Sequence, residues 1–246
     1  MRFWSPVRFF ARPSSRPLAA ALLLGAALAL APAVAPPGTV HAEEAAAPSA
    51  AVLLFETPQL GQAAPGSTLT YRYSRKVSDP ELGASFEDRI KLLIAAPAAA
   101  APKEARNVKV DFFGPERHRA AGPFEDVTGN PVLVLFLENH LAELSGKLMG
   151  NPRYFKNAIR TALRDKAEVA PADIDVGGRS FKGWRVTVTP FAGDANAKRM
   201  RGLEKLTYVF EVAPDLPGEI ARITITADAK DGRLWEEALS YDPQGT

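Results

Sequence analysis

Only two histidines follow residue 42, His118 and His140, and they are the natural starting point for any acid–base or metal chemistry. His118 stands among charges in "PERHRAAGPF" and reads as a solvated strand or loop residue. His140 lies on or beside an apolar stripe and reads as a hydrogen-bonded core or boundary residue. Neither has a second ligand type at metal-binding spacing. Asp173 and Asp175 flank Ile174 in what reads as a short strand, and paired carboxylates of that kind are common on surfaces. "GGRSFKG" (177–183) has the glycines of a phosphate loop, but they precede a strand and do not open a helix. Asp228 and Asp231-Gly232 lack the alternating oxygen ligands and distal Glu of a calcium loop. The motifs of serine hydrolases, zinc peptidases and P-loop proteins are absent from the sequence. No catalytic set, metal site or cofactor is therefore expected, and a hydrolase with dispersed carboxylates is the least favoured reading.

The chain has no cysteine, which excludes disulfides, thiolate metal sites and a Cys nucleophile. It also excludes lipidation at an N-terminal Cys. The N-terminus carries Arg2, Arg8, Arg12 and Arg16 without an acid, then an uncharged Ala/Leu/Gly run from Leu18 to Ala35, then Val40-His41-Ala42. That order predicts a cleaved secretory signal peptide over 1–42, with an uncleaved anchor as the alternative. Of 30 Lys+Arg, four lie in this segment, leaving 26 against 28 Asp+Glu, a formal charge of −2. The basic excess belongs to the leader. The rest gives no ground for a nucleic-acid partner or for an anionic membrane surface. A periplasmic protein with no membrane span after cleavage is expected.

The elements that position these residues follow from periodicity. Glu43 to Ser67 is rich in Ala, Pro and Gly and reads as a flexible leader, with Val52-Leu53-Leu54-Phe55 docking locally. A single domain is expected over 68–246. Leu69, Tyr71 and Tyr73 alternate with polar residues. Phe86, Ile90, Leu92 and Ile94 share one parity, and Val108, Val110 and Phe112 another. The alternation resumes at Trp184, Val186 and Val188, at Leu206, Tyr208 and Phe210, at Ile223 and Ile225, and at Trp235, Leu239 and Tyr241. These predict about seven or eight antiparallel strands, each with one buried face. Asp231-Gly232 is a hairpin signal.

Between the two groups of strands, Gly-Asn-Pro occurs twice, at 129–131 and 150–152. Asn caps helix N-termini and Pro favours the first helical position, so both mark helix starts. Leu133, Phe136, Leu137, His140, Leu141, Leu144 and Leu148 follow helical spacing behind the first. Phe155, Ile159 and Leu163 do so behind the second. Two amphipathic helices are predicted, at about 131–148 and 152–166. The unbroken apolar run Val132 to Leu137 either fills a sheet–helix core or roofs a cavity.

This order of elements resembles the periplasmic lipoprotein-carrier group (LolA/LolB-like). "DVTGNPVLVLFLEN" resembles that family's entry into its mid-chain insert, and "WRVTVTPF", "LTYVFEV" and "DGRLWEEALSY" its closing strands. The resemblance covers about 68–242. It implies an α+β fold: a curved antiparallel sheet, an unclosed half-barrel, with two helices inserted mid-chain on the concave face. It also implies an apolar cavity that accepts acyl chains. The second Gly-Asn-Pro helix and the Ala/Pro connector at 95–105 depart from the family pattern. The expected function is non-enzymatic binding of a lipid or lipoprotein acyl chain. Leu133, Phe136, Leu137 and Leu141 would form a lid wall, and Tyr71, Tyr73, Trp184 and Tyr208 the sheet wall. The alternative is a cell-envelope protein-interaction module with a filled core, where Arg72, Arg75, Arg153 and Lys156 would lie on exposed faces and face a protein partner.

Overall fold

The computed structural model describes residues 47–245. The expected signal peptide and the first residues of the leader lie outside them. Nine strands form one antiparallel sheet: β1 (Thr68–Val77), β2 (Phe86–Ala95), β3 (Arg106–Phe112), β4 (Arg119–Val127), β5 (Glu168–Val176), β6 (Arg179–Val188), β7 (Thr207–Val212), β8 (Ile220–Ala229) and β9 (Gly232–Tyr241). Their order is β4-β3-β2-β1-β9-β8-β7-β6-β5, so the sheet is not closed and β4 and β5 are its edges. The chain runs one meander from β1 to β4, inserts α1 (Pro131–Lys147) and α2 (Pro152–Asp165), then runs a second meander from β5 to β9. The last strand returns to pair with the first, Tyr71 opposite Tyr241 and Arg75 opposite Glu237. The α+β class, the single unclosed antiparallel sheet and the mid-chain helix pair all follow the sequence pattern.

Both Gly-Asn-Pro sites start helices as expected. Asn130 Oδ1 accepts from Val132 N at 3.1 Å, and Asn151 Oδ1 accepts from Arg153 N at 2.9 Å. The two strands not read from alternation are the edges. β4 contains Gly122-Pro123 and its pairing with β3 shifts register, while β5 contains Pro171. In both strands few residues are buried, and the prolines, tolerated at an edge, interrupt the alternation.

The core begins earlier than Thr68. Ala50, Leu53, Leu54, Leu60 and Ala63 are buried, and Leu60 N–H donates to Thr128 O at 2.9 Å. Arg106, itself buried, holds this segment by donating to Ala63 O at 2.6 Å and to Gly61 O at 3.0 Å. The stretch from Ala50 to Ala63 of the expected flexible leader is therefore packed structure, because most of its leucines and alanines are buried and the Gly61 and Ala63 carbonyls accept from Arg106. No helix among the described residues is long and apolar enough to cross a membrane.

Candidate functional site

Three polar side chains on the face of the sheet that meets α1, and one from α1 itself, form a chain of hydrogen bonds. Tyr73 Oη donates to Glu237 Oε1 at 2.7 Å, His140 Nδ1 lies 2.6 Å from Glu237 Oε2, and His140 Nε2 lies 2.8 Å from Tyr208 Oη. His140 and Glu237 are both fully buried, as is Tyr208. Each comes from a different element: Tyr73 from β1, His140 from α1, Tyr208 from β7 and Glu237 from β9. Strand parity explains the meeting. Tyr73 shares the inward parity of Leu69 and Tyr71, Tyr208 that of Phe210, and Glu237 that of Trp235 and Leu239. His140 occupies the α1 stripe that includes Phe136 and Leu144.

The electrostatics follow from burial. Desolvation raises the Tyr73 and Tyr208 hydroxyls far above the ordinary phenol range, and the Glu237 carboxylate pushes them further the same way. Both phenols stay protonated donors. An arrangement of hydroxyl, imidazole and carboxylate has the connectivity of a nucleophile, base and orienting acid. Here the hydroxyl belongs to a phenol with no exposed surface, so a substrate meets none of the three in this conformation. What the cluster does is bolt α1 to β7 and β9 by hydrogen bonds.

A second ionic contact flanks the first. Arg75 Nη1 lies 2.8 Å from Glu143 Oε2 of α1, and the guanidinium stacks over the Phe86 ring at 4.8 Å. Arg75 was expected on an exposed face, but it is only 7% exposed. It falls on the same inward parity as Tyr71 and Tyr73, and α1 covers that face. Arg72, one residue off that parity, is exposed, Arg153 is exposed, and Lys156 ion-pairs with Glu138 at 2.6 Å.

A third polar network anchors the start of α1. Asn130 Nδ2 donates to Tyr71 Oη and to Gly218 O, both at 2.8 Å, and its N–H donates to Gln59 Oε1 at 3.0 Å. Desolvation raises the Tyr71 hydroxyl above its ordinary range. Next to Gly218, burial pushes the Glu219 carboxyl up to about 7.

Seven of the eight residues expected to line a ligand site converge here. Leu133, Phe136, Leu137 and Leu141 are at most 6% exposed, and Tyr71, Tyr73 and Tyr208 at most 1%. Tyr73 and Phe136 pack edge to face, with ring centroids 6.1 Å apart. At that exposure the space between α1 and the sheet is filled by side chains at these residues. Trp184 does not join them. It lines a surface groove of about 470 Å³ with Lys182, Asp173 and Asp215, near the β5 edge. His118 sits exposed in the loop before β4.

Glu237 and the partnership of His140 were not read from sequence, although both leave a trace there. Each is an ionisable residue on an otherwise apolar parity or stripe, and so is Arg75. Compared with known proteins, the chain matches no family model, and no curated protein is similar to it.

Proposed function

We propose that the chain is an exported, periplasmic, non-enzymatic carrier that takes an apolar ligand, a lipid or lipoprotein acyl chain, between α1 and the sheet. The observation that carries this reading is the polar cluster of His140, Glu237, Tyr73 and Tyr208 in the middle of a helix–sheet contact that is otherwise mostly apolar, with Val132, Leu133, Phe136, Leu137, Leu141 and Leu144 buried around it. A buried cluster of carboxylate, imidazole and hydroxyls adds little to stability over well-packed apolar residues of the same volume. It does lower the cost of parting the two layers, because the separated groups regain water. It also makes the closed position unique, because the four groups can pair with one another in that register alone. Such an interface suits a lid that opens and closes in one register. The resemblance of the sequence to lipoprotein carriers supports the same reading. Each buried CH₂ of a ligand chain would contribute ~0.8 kcal/mol. Leu133, Phe136, Leu137 and Leu141 would then face the ligand from α1, and Tyr71, Tyr73 and Tyr208 from the sheet.

A second reading, an envelope protein-interaction module, is favoured by one observation: the near-zero exposure of those same residues in the closed form. Solvent extraction and mass spectrometry of the protein recovered from its producing cell separate the two. The carrier reading expects a lipid or acyl species in near-stoichiometric amount, or uptake of an apolar fluorescent probe by the extracted protein. Absence of both results sinks it and leaves the filled module.

A further inference from the structure

The outward face of α2 is built differently from that of α1. The two α1 carboxylates beside the helix pair are both taken up internally, Glu138 by Lys156 and Glu143 by Arg75. On α2, Phe155, Ile159, Ala162 and Leu163 are buried, and the opposite side presents Arg153, Asn157, Arg160 and Arg164, all exposed. Their spacing of four, three and four residues puts them in one row, roughly 16 Å long at 1.5 Å per residue. Arg164 is bonded to Asp165 at 2.7 Å. Among the described residues, Arg153 and Arg160 have no ion-pair partner. Arg153 and Arg160 are therefore two uncompensated positive charges in one row, on a chain whose cations and anions otherwise nearly balance.

At the N-terminal end of this strip is Met149, in the turn between α1 and α2, and 90% exposed. Its backbone is left-handed, φ +50°, a conformation that disfavours any side chain. At the next residue, a Cβ on Gly150 would lie 2.5 Å from the Phe155 ring, so any other residue would push that ring aside. The chain thus holds a large apolar side chain in a strained turn, where almost none of its surface is covered by the protein.

We infer that α2 and its leading turn dock on an anionic lipid surface, with Arg153 and Arg160 against phospholipid headgroups and Met149 entering the interface. The charge complementarity is direct, and two unpaired arginines aligned along one exposed helix face match a flat surface of phosphates better than a pocketed one. Long Arg side chains carry their charge to the headgroup level while their stems stay near apolar matter. An acidic polypeptide offers the same charge but gives the exposed Met149 no apolar layer to enter. The docking does not depend on ligand carriage, so either holds without the other.

The test is co-sedimentation of the full chain with phosphatidylcholine vesicles, with and without phosphatidylglycerol. The unsubstituted protein is compared with R153Q/R160Q and with M149S, all carrying the same N-terminus. Binding is expected only with phosphatidylglycerol and is expected to weaken as salt rises. A surface arginine contributes roughly fivefold to such affinity, so the double variant should lose about 25-fold and M149S a smaller factor. Circular dichroism should be unchanged, since these side chains are exposed. Equal binding by R153Q/R160Q, or equal binding to vesicles without phosphatidylglycerol, overturns the inference. So does failure to bind vesicles while the protein is retained, in an Arg153- and Arg160-dependent way, on immobilised polyglutamate. That outcome would assign the strip to an acidic polypeptide.

Discussion

At Glu237 the apolar parity of β9 is broken by a carboxylate between Trp235 and Leu239. The residue is held by two partners, the Tyr73 hydroxyl and His140 Nδ1. Removing one partner of a buried polar network leaves groups unsatisfied, at ~1–3 kcal/mol each and more for a charged one, whereas replacing the whole network by apolar side chains of similar shape is close to neutral. H140L alone, which strips a partner from both Glu237 and Tyr208, is therefore expected to lower the urea unfolding free energy by roughly 2–5 kcal/mol, and the quadruple variant Y73F/H140L/Y208F/E237L, which leaves no member of the network unpaired, to recover most of it. Equilibrium denaturation of the two variants measures the difference. If the quadruple variant is as unstable as the single one, the network contributes more than the mutual satisfaction of its members. Amide hydrogen exchange adds the functional side: in a lid, H140L should speed exchange in α1 while β7 to β9 stay protected. Uniform acceleration would mark α1 as ordinary core.

The two Gly-Asn-Pro starts look equivalent in sequence, and as helix caps they are. What differs is what else each Asn holds. Asn151 caps α2 in solvent, while Asn130 is buried and also joins Tyr71, Gly218 and Gln59. Loss of an exposed cap costs ~1 kcal/mol. Loss of a buried amide with several partners adds about 1–3 kcal/mol for the groups left unpaired. N151A should therefore shift the thermal midpoint slightly and N130A by two to four times as much; equal shifts by calorimetry would show that the buried bonds contribute nothing net. This difference marks the limit of what could be read in advance. Caps, amphipathic stripes and the seven inner strands are local patterns and were legible from residue types alone. β4 and most of β5 were not, because few of their residues are buried and Pro123 and Pro171 break their alternation. The meeting of Tyr73, His140, Tyr208 and Glu237 was not legible either. It depends on the β1–β9 register, which pairs residues more than 150 positions apart. The separate oddities were visible: an acid, a histidine and an arginine, each on an apolar face. Only the tertiary pairing says that two of them are partners and that Arg75 takes Glu143 instead.

On the scale of the whole molecule, the sheet is one surface made from two meanders, joined where β1 meets β9, and the helix layer is stationed over it by contacts from both ends of the chain. The segment from Ala50 to Ala63 belongs to that layer, although its Ala/Pro/Gly-rich composition reads as a leader. Leu53, Leu54 and Leu60 are buried, and Gln59 donates to Leu53 O at 3.0 Å while its Oε1 accepts from Asn130 N. Fully burying a leucine is worth ~1.5–3 kcal/mol. Three of them, with the Gln59 bonds, form a sizeable share of a net stability that is typically ~5–15 kcal/mol for a domain. A chain beginning at Thr68 should therefore lose its cooperative melt or aggregate, while one beginning at Ala47 should unfold as a single sharp transition. Differential scanning calorimetry of the two distinguishes a structural segment from an appended one. Should the shorter chain melt within a degree or two of the longer one, the apolar face covered by Leu53, Leu54 and Leu60 must be able to close on itself, and the start of α1 must hold without Gln59.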